Sequence, residues 1–472
     1  MRWIAAEIAD VVGGTVTQGD PATVIEQVTQ DSREIGATPA MFVPLLADRD
    51  GHDFIAVAAA AGAAATLSSR PAADLVGLPD HMAVIEVSDT ALALSELGSA
   101  GRARLEGRPV IGITGSVGKT TTKDFLAAIL AVDRPTHASR ESFNNEIGVP
   151  LTILNAPDDT EALVLEMGAR GIGHIASLCA IGRPTVGIVT IVGTAHTSEF
   201  GSVEAVAQAK GELIEALPSA SAGGVAVLDA AQPLVLHMAD RTTAEVITFG
   251  PGGDVWAESI VLDDELVPTF SLACAQGRAE VVLGARGIHL VDNALAAAAA
   301  AMAVGVPLAA VVTGLAEPVL SPMRMALVRS PRGTRILNDA YNANPMSTEA
   351  ALRSLAALPV APGGRRFAVL GEMAELGDVS ADEHARMGQV AADLGIHVIA
   401  VNSPDYLAGL DSSNAASTAS SASTADLAAG IPEALRLLAD PPVGAPIGPD
   451  DAVLVKGSRV AGLERLVDLL SA

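Results

Sequence analysis

At 472 residues the chain exceeds what one hydrophobic core usually fills, so two or three domains are expected. Half of its residues are apolar but only 3% are aromatic, a balance that favours helices packed on sheets over an aromatic-rich β sandwich. The net charge of −26 repels nucleic acid and anionic membrane surfaces at long range, which argues against both as partners and leaves any anionic substrate to be held by local groups.

The opening stretch "MRWIAAEIADVVGG" carries Glu7 and Asp10 where a secretory leader needs an unbroken apolar run, and it reads as an amphipathic helix. Short apolar segments and the turn-rich "LADRDGHDF" follow, up to the charged "GRARLEGRP", which marks a first boundary. From residue 110 onward, apolar strands alternate with longer helical segments: "VIGIT", "ALVLE", "VGIVTIV", "VAVLD" and "EVITF". That alternation predicts a mostly parallel α/β sheet. The run "NALAAAAAAMAVGVPLAAVV" is mostly Ala, is interrupted by Gly and Pro, and has Asp292 and Asn293 at its start, so it predicts a buried helix and not a membrane span. A second α/β series begins near "SPMRM" and continues through "RILND", "RFAVLGE", "HVIAV" and "AVLVKG". The Ser/Ala/Thr-rich "DSSNAASTASSASTADLAAG" is expected to be a surface insertion. Cys179 and Cys274 match no metal-ligand spacing and are expected to be reduced thiols of a cytoplasmic protein.

In open parallel sheets, ligands collect beyond the carboxyl ends of the strands. Polar residues fall there: Lys119, Glu166, His196, Asp339, Glu372 and Lys456. A phosphate loop needs small residues so that backbone N–H groups close on phosphate oxygens, a Lys for the terminal phosphates and a hydroxyl for magnesium. "TGSVGKTT" supplies Gly115, Gly118, Lys119 and Thr120 between a strand and a helix, in a shortened form with Ile113 where the usual spacing has Gly. Glu166, closing "ALVLE", is a candidate magnesium ligand or a strand-end acid paired to a neighbour. His196 is a candidate ligand or a structural histidine. Lys210 has Glu204, Glu212 and Glu215 around it, which by itself reads as a solvated helix lysine. Asn144 and Asn145, and the Asn residues of "DAYNANP", suit a polar substrate or a turn. Arg324, Lys456 and Arg459 are cations that would neutralise phosphate or carboxylate, or serve solubility.

Taken together these stretches resemble the Mur ligase family over nearly the whole chain, and within it the member that joins D-alanyl-D-alanine to UDP-N-acetylmuramoyl-tripeptide. "DSREIGATPAMFVPL" and "DGHDFIAVAAAAGA" look like the family's N-terminal α/β UDP-substrate domain. "TGSVGKTTTK", "SFNNEIGVPLTIL", "LEMGARGIGHI" and "AHTSEFGSVEAVAQAKGEL" look like its central ATPase domain, whose phosphate loop has the shortened form. "NDAYNANPMSTEAAL", "VLGEMAELG" and "LVKGSR" look like its C-terminal, Rossmann-like α/β domain. The expected domains are 1–107, 108–317 and 318–472.

The resemblance implies that Gly115, Ser116, Val117, Gly118, Lys119, Thr120 and Thr121 bind ATP, that Thr120, Glu166 and His196 help hold Mg2+, and that Lys210 is the family's carbamylated lysine. It places Asn293 near adenine, with Arg324 and Asp339 reaching the nucleotide from the third domain. Ser32, Arg33, Asn144 and Asn145 would hold the UDP-sugar peptide; Asn342, Asn344, Lys456, Ser458 and Arg459 would lie near the dipeptide. The implied enzyme is a cytoplasmic ligase, expected as a monomer, that activates the tripeptide carboxylate as an acyl phosphate and closes its third domain over the second. Its rivals are a sister Mur-type ligase, a folylpolyglutamate synthetase-like enzyme and a phosphate-loop switch without ligase activity.

Overall fold

The computed structural model describes residues 1–140, 143–193, 200–408, 425–440 and 445–472. The Ser/Ala/Thr-rich stretch lies largely outside them, and His196 entirely so. Near the N-terminus the short helix Ala5–Val11 follows the strand Trp3–Ile4, buries Ala5, Ile8 and Ala9, and leaves Asp10 in solvent, as its amphipathic pattern requires. It packs on a five-stranded sheet in the order Thr15–Gln18, Ala83–Glu86, Ala65–Ser68, Ala40–Phe42 and Gln27–Thr29. Only the Thr15–Gln18 edge is antiparallel there.

The central sheet holds the five strands expected from the sequence plus a short edge strand, in the order Glu245–Phe249, Val225–Asp229, Val186–Val189, Val110–Thr114, Ala162–Glu166 and Thr136–Ala138, all parallel. Val110–Thr114, Ala162–Glu166, Val186–Val189 and Val225–Asp229 are buried along their whole length, which is why they read as unbroken apolar runs. The strand order reverses between Val110–Thr114 and Val186–Val189, so the crevice at this switch point lies beside the phosphate loop. The long apolar run resolves into the helices Leu290–Ala303 and Leu308–Ala316, broken around Gly305 and Pro307. Residues Ala294–Ala301 are 0–1% exposed, and their small side chains let this helix lie close against the helix Lys119–Asp133. Among the described residues no helix is long and apolar enough to cross a membrane.

The C-terminal sheet runs Ala326–Arg329, Arg335–Asp339, Ala452–Lys456, Arg366–Leu370, His397–Val401 and Ala425–Ala428, parallel except for its first strand. An antiparallel sheet of Trp256–Leu262, Pro268–Cys274 and Gly277–Val282 sits between the two α/β sheets in sequence and was not foreseen. Of its strands only Pro268–Cys274 alternates buried with half-buried positions over most of its length, while the other two are largely half-buried or exposed, a weaker signal than the continuous runs on either side. The N-terminal unit shares one hydrophobic cluster with a face of the central sheet, where Leu94 and Leu97 join Val149, Leu165 and Ile175.

Candidate active site

A cavity of about 550 Å3 opens where the carboxyl ends of the central strands face those of the C-terminal strands. On the central side, the loop after Val110–Thr114 is built for close approach. Gly115 lies against Thr190: a Cβ there would stand 1.9 Å from the Thr190 Oγ1. Gly118 has φ +87, and a Cβ there would stand 2.2 Å from the Asn293 Nδ2, so both strain and space demand glycine. Thr190 Oγ1 donates to the Val117 carbonyl at 2.6 Å, and the Ser116 N–H donates to the Ile191 carbonyl at 2.7 Å. The loop is thereby laced to the neighbouring strand. Asn293 Nδ2 donates to Thr122 Oγ1 at 3.1 Å and fixes the first turn of the helix from the other side.

Lys119 opens that helix and folds back so that its Nζ donates to the Gly115 carbonyl at 2.7 Å. Burial lowers its pKa, with Arg324 adding to the effect and Glu166 opposing it. One residue on, Thr120 Oγ1 donates to the Glu166 carboxylate at 2.8 Å, and Asn144 Nδ2 donates to the other oxygen of that carboxylate at 2.9 Å. Glu166 is 1% exposed. It is thus held by hydrogen bonds from a hydroxyl and an amide.

Lys210 sits on the helix Val203–Glu215 but is 1% exposed, which corrects the solvated reading of its sequence surroundings. Burial drives its pKa well below that of an ordinary lysine, and the nearby Lys119 charge adds to this. Among the described residues no hydrogen bond or ion pair holds its amine. Two of the three acids that suggested a solvated face have other partners: Glu212 accepts the Gly173 and Ala176 N–H groups, and Glu215 pairs with Arg241. The usable signal was the stripe Val206, Ala207, Leu213 and Ile214, which puts residue 210 on the apolar face.

The third unit supplies the opposite wall. Arg324 is flanked by Met323 and Met325 at φ +59 and +51, and its guanidinium lies 4.5 Å from the Tyr341 ring centroid. The segment carrying it is anchored to the phosphate-loop helix, because the Ser321 N–H donates to Asp124 at 2.7 Å. Asp339 accepts the Met325 N–H at 3.2 Å and the Lys456 Nζ at 2.5 Å. Lys456, 2% exposed, also donates to the Asn342 carbonyl, so two of its donors are already engaged inside the protein.

The cavity therefore brings together Ser116–Thr121, Asn144, Asn145, Glu166, Lys210, Asn293, Arg324, Asp339, Asn342, Asn344 and Lys456. Five Lys and Arg side chains, Lys119, Arg170, Lys210, Arg324 and Lys456, line it in a protein of strong negative charge. Five expected residues among those described do not line it; the first is Gly115, packed behind the loop on Thr190. Ser32 and Arg33 form a separate turn, where Arg33 pairs with Asp31; the same turn is tied to the central unit by Glu34 with Arg140. Ser458 Oγ accepts the Ala374 N–H and donates to the Ala343 carbonyl, an internal clamp, and Arg459 pairs with Glu464. Asn344 borders the cavity but caps the helix Pro345–Ala357 with its side chain.

Several lining residues escaped the sequence reading. Burial takes His289 down to about 4 and Asp229 up to about 6, the latter with help from Asp292, which burial also raises. Asp229 closes "VAVLD" and the strand-end rule would have found it; nothing in the letters marks His289.

The Mur ligase middle-domain model matches residues 113–301, and the Mur ligase glutamate ligase domain model matches residues 323–459. The chain belongs to the Mur ligase family. Among curated Mur ligases it is 40% identical to the UDP-N-acetylmuramoyl-tripeptide–D-alanyl-D-alanine ligase of Mycobacterium tuberculosis, over 99% of this chain and 97% of that one. Its fold matches the crystal structure of MurF from Acinetobacter baumannii with a TM-score of 0.85 and 31% identity, covering 100% of this chain and 99% of that one. It also matches MurF from Thermotoga maritima in complex with ADP, with a TM-score of 0.77 and 27% identity over 94% and 97% of the two chains.

Proposed function

We propose that this chain is an ATP-dependent ligase that joins D-alanyl-D-alanine to UDP-N-acetylmuramoyl-tripeptide, giving a peptidoglycan pentapeptide precursor. The observation that carries the reading is the cavity in which a phosphate loop, the Thr120–Glu166–Asn144 line and the Arg324–Asp339 wall meet, within a chain similar end to end to enzymes named for that reaction. The units 1–107, 108–317 and 318–472 are assigned to UDP-substrate, ATP and dipeptide, respectively, in a cytoplasmic, monomeric enzyme.

Thr120 and Glu166 present a hydroxyl and a carboxylate 2.8 Å apart beside the phosphate loop, oxygen donors of the kind Mg2+ prefers, and so the residues fit that ion. When bound there, Mg2+ would offset negative charge on the transferring phosphoryl group. His196 and a carbamylated Lys210 are assigned to the same ion; carbamylation turns a buried amine whose charged form desolvation disfavours into an anion. Lys119 and the loop amides hold the nucleotide phosphates, and Asn293 stands next to the adenine. Arg324 and Asp339 act on the nucleotide from the third unit.

The tripeptide carboxylate attacks the γ-phosphate, ADP departs, and the resulting acyl phosphate is attacked by the dipeptide amine as phosphate leaves. Ser32 and Arg33 with Asn144 and Asn145 are assigned to the UDP-sugar peptide, supported by the Glu34–Arg140 contact that joins the two segments. Asn342, Asn344 and the Lys456, Ser458 and Arg459 segment are assigned to the dipeptide side. The deciding experiment measures phosphate release with ATP, Mg2+ and UDP-N-acetylmuramoyl-tripeptide, with and without D-Ala-D-Ala, and records the product mass. Dipeptide-dependent release with a UDP-pentapeptide product is expected; turnover only with another amine would overturn the acceptor assignment.

A further inference from the structure

The helix that opens with Lys119 carries a buried ion pair one turn past the phosphate loop. Lys123 and Asp124 lie 3.0 Å apart, with side chains 4% and 7% exposed. Taking two charges out of water is costly unless close geometry and further hydrogen bonds offset it, so what else each group binds is informative. Lys123 Nζ donates to the Ser139 carbonyl at 2.7 Å, and Ser139 Oγ accepts the Glu166 N–H at 3.1 Å. Asp124 binds the segment that joins the second and third units: it accepts the Ser321 N–H at 2.7 Å and the Ser321 hydroxyl at 3.2 Å. Thr120 and Asp124 are four residues apart and therefore share a face of the helix. The face that offers Thr120 to Glu166 also holds the tether of the third unit.

That tether leads to Arg324, three residues on. Among the described residues the linker 317–322 makes its hydrogen bonds through Ser321, while its Val319 is 88% exposed. Met323 and Met325, on either side of Arg324, have φ +59 and +51, a left-handed conformation that is costly for a residue with a Cβ. A strained path of this kind persists only where the surroundings over-determine it. Anchors stand on both sides here: Asp124 holds Ser321 from the second unit, and Asp339 accepts the Met325 N–H from the third. Between them Arg324 lines the cavity, and its charge helps lower the pKa of Lys119. Its Nε is buried and has no hydrogen-bond partner among the described residues. An open buried donor beside a phosphate loop suits an anionic ligand.

We infer that Asp124 is a positioning residue for phosphoryl transfer: by holding Ser321 it sets where the Arg324 guanidinium stands over the phosphate loop. The inference rests on the ligase reading above and on its assignment of Arg324 to the nucleotide. Asp124 does not line the cavity and acts through the linker. Lys123 ties the same carboxylate to the strand end that carries Glu166, so one ion pair keeps the acid and the guanidinium in a fixed spatial relation. A charge displaced by about an ångström loses much of its value to a transition state, which is why an anchor outside the cavity bears on the rate.

The test uses the full chain with ATP, Mg2+, UDP-N-acetylmuramoyl-tripeptide and hydroxylamine, which traps the acyl phosphate as a hydroxamate and so reports phosphoryl transfer without the dipeptide. Asp124→Ala removes the anchor, and Ser321→Pro removes both Ser321 donors while leaving the buried ion pair in place. Arg324→Ala removes the guanidinium, and the double variant Ser321→Pro/Arg324→Ala closes a cycle. Asp124→Ala and Ser321→Pro should each lower kcat for hydroxamate about 10- to 100-fold, with ADP affinity, read by calorimetry, within about twofold of the parent's. The double variant should be no slower than Arg324→Ala alone, because the anchor then has nothing left to position. Losses that multiply in the double variant would overturn the inference, as would an equal loss of ADP affinity, since the contact would then only stabilise the helix. Parent-like turnover in Ser321→Pro would overturn it even where Asp124→Ala fails to fold. Parent-like turnover in Arg324→Ala would overturn the assignment of that residue, and a parent protein that forms no hydroxamate would overturn the ligase reading; the inference falls with either.

Discussion

Replacing Lys210 with Met separates stability from chemistry at one buried atom. The Lys210 side chain is 1% exposed, has no hydrogen bond or ion pair among the described residues, and faces the Lys119 charge. Taking an amine out of water costs about 1–3 kcal/mol, and a Met of similar length fills the same space without that cost. Lys210→Met should therefore be as stable as the parent or more stable by about 1–3 kcal/mol in carbon dioxide-free buffer. Turnover should fall roughly 10²–10³-fold, the usual effect of deleting one preorganised electrostatic group. The assay pairs thermal unfolding of the two proteins with ATP-dependent phosphate release in the presence of both substrates. Added bicarbonate should raise the activity of the parent and leave the variant unchanged. A variant that is destabilised by more than about 1 kcal/mol yet retains turnover would refute the reasoning, because Lys210 would then be a packing residue.

Gly118→Ala and Gly62→Ala both place a side chain at positive φ, but only the first also meets a neighbour, the Asn293 Nδ2 at 2.2 Å. Each should lose about 1–2 kcal/mol of stability from strain, whereas ADP affinity should fall about tenfold or more in Gly118→Ala alone, read by calorimetric titration. His289 and Asp229 should oppose each other in acid. With a folded pKa of about 4 against 6.5, His289 gives stability that is full above pH 6.5 and lost as pH falls to 4; with about 6 against 3.8, Asp229 gives stability that is full below pH 3.8 and lost as pH rises to 6. Each full effect amounts to roughly 3 kcal/mol. The drop in unfolding temperature from pH 7 to 4.5 should thus be larger in Asp229→Asn than in His289→Gln, and equal drops would contradict this account. Finally, scattering profiles recorded without ligands and with ATP plus UDP-tripeptide should differ if the third unit closes over the second to exclude water from the acyl phosphate, and superimposable profiles would rule that closure out.

The parallel strands were legible because burial on both faces leaves no room for polar residues, as in Val110–Thr114 and Val225–Asp229. The phosphate loop was legible because small residues, a lysine and a hydroxyl must fall at fixed offsets after such a strand. The Asn residues of "DAYNANP" show the limit of letters: they suited a substrate or a turn, and Asn344 borders the cavity while capping a helix. Lys210 shows it more sharply, since the three acids around it suggested solvent while Glu212 and Glu215 have partners elsewhere.

By itself, then, the sequence determined the α/β class, the position of the phosphate loop and most of the polar strand ends, because these follow from local periodicity and from residues adjacent in the chain. The tertiary structure decided which of those residues share a cavity and in what state. Lys210 is desolvated by neighbours remote in sequence, and Ser458 turns inward to hold a loop of another segment. Burial and pairing are properties of surroundings assembled from distant parts of the chain.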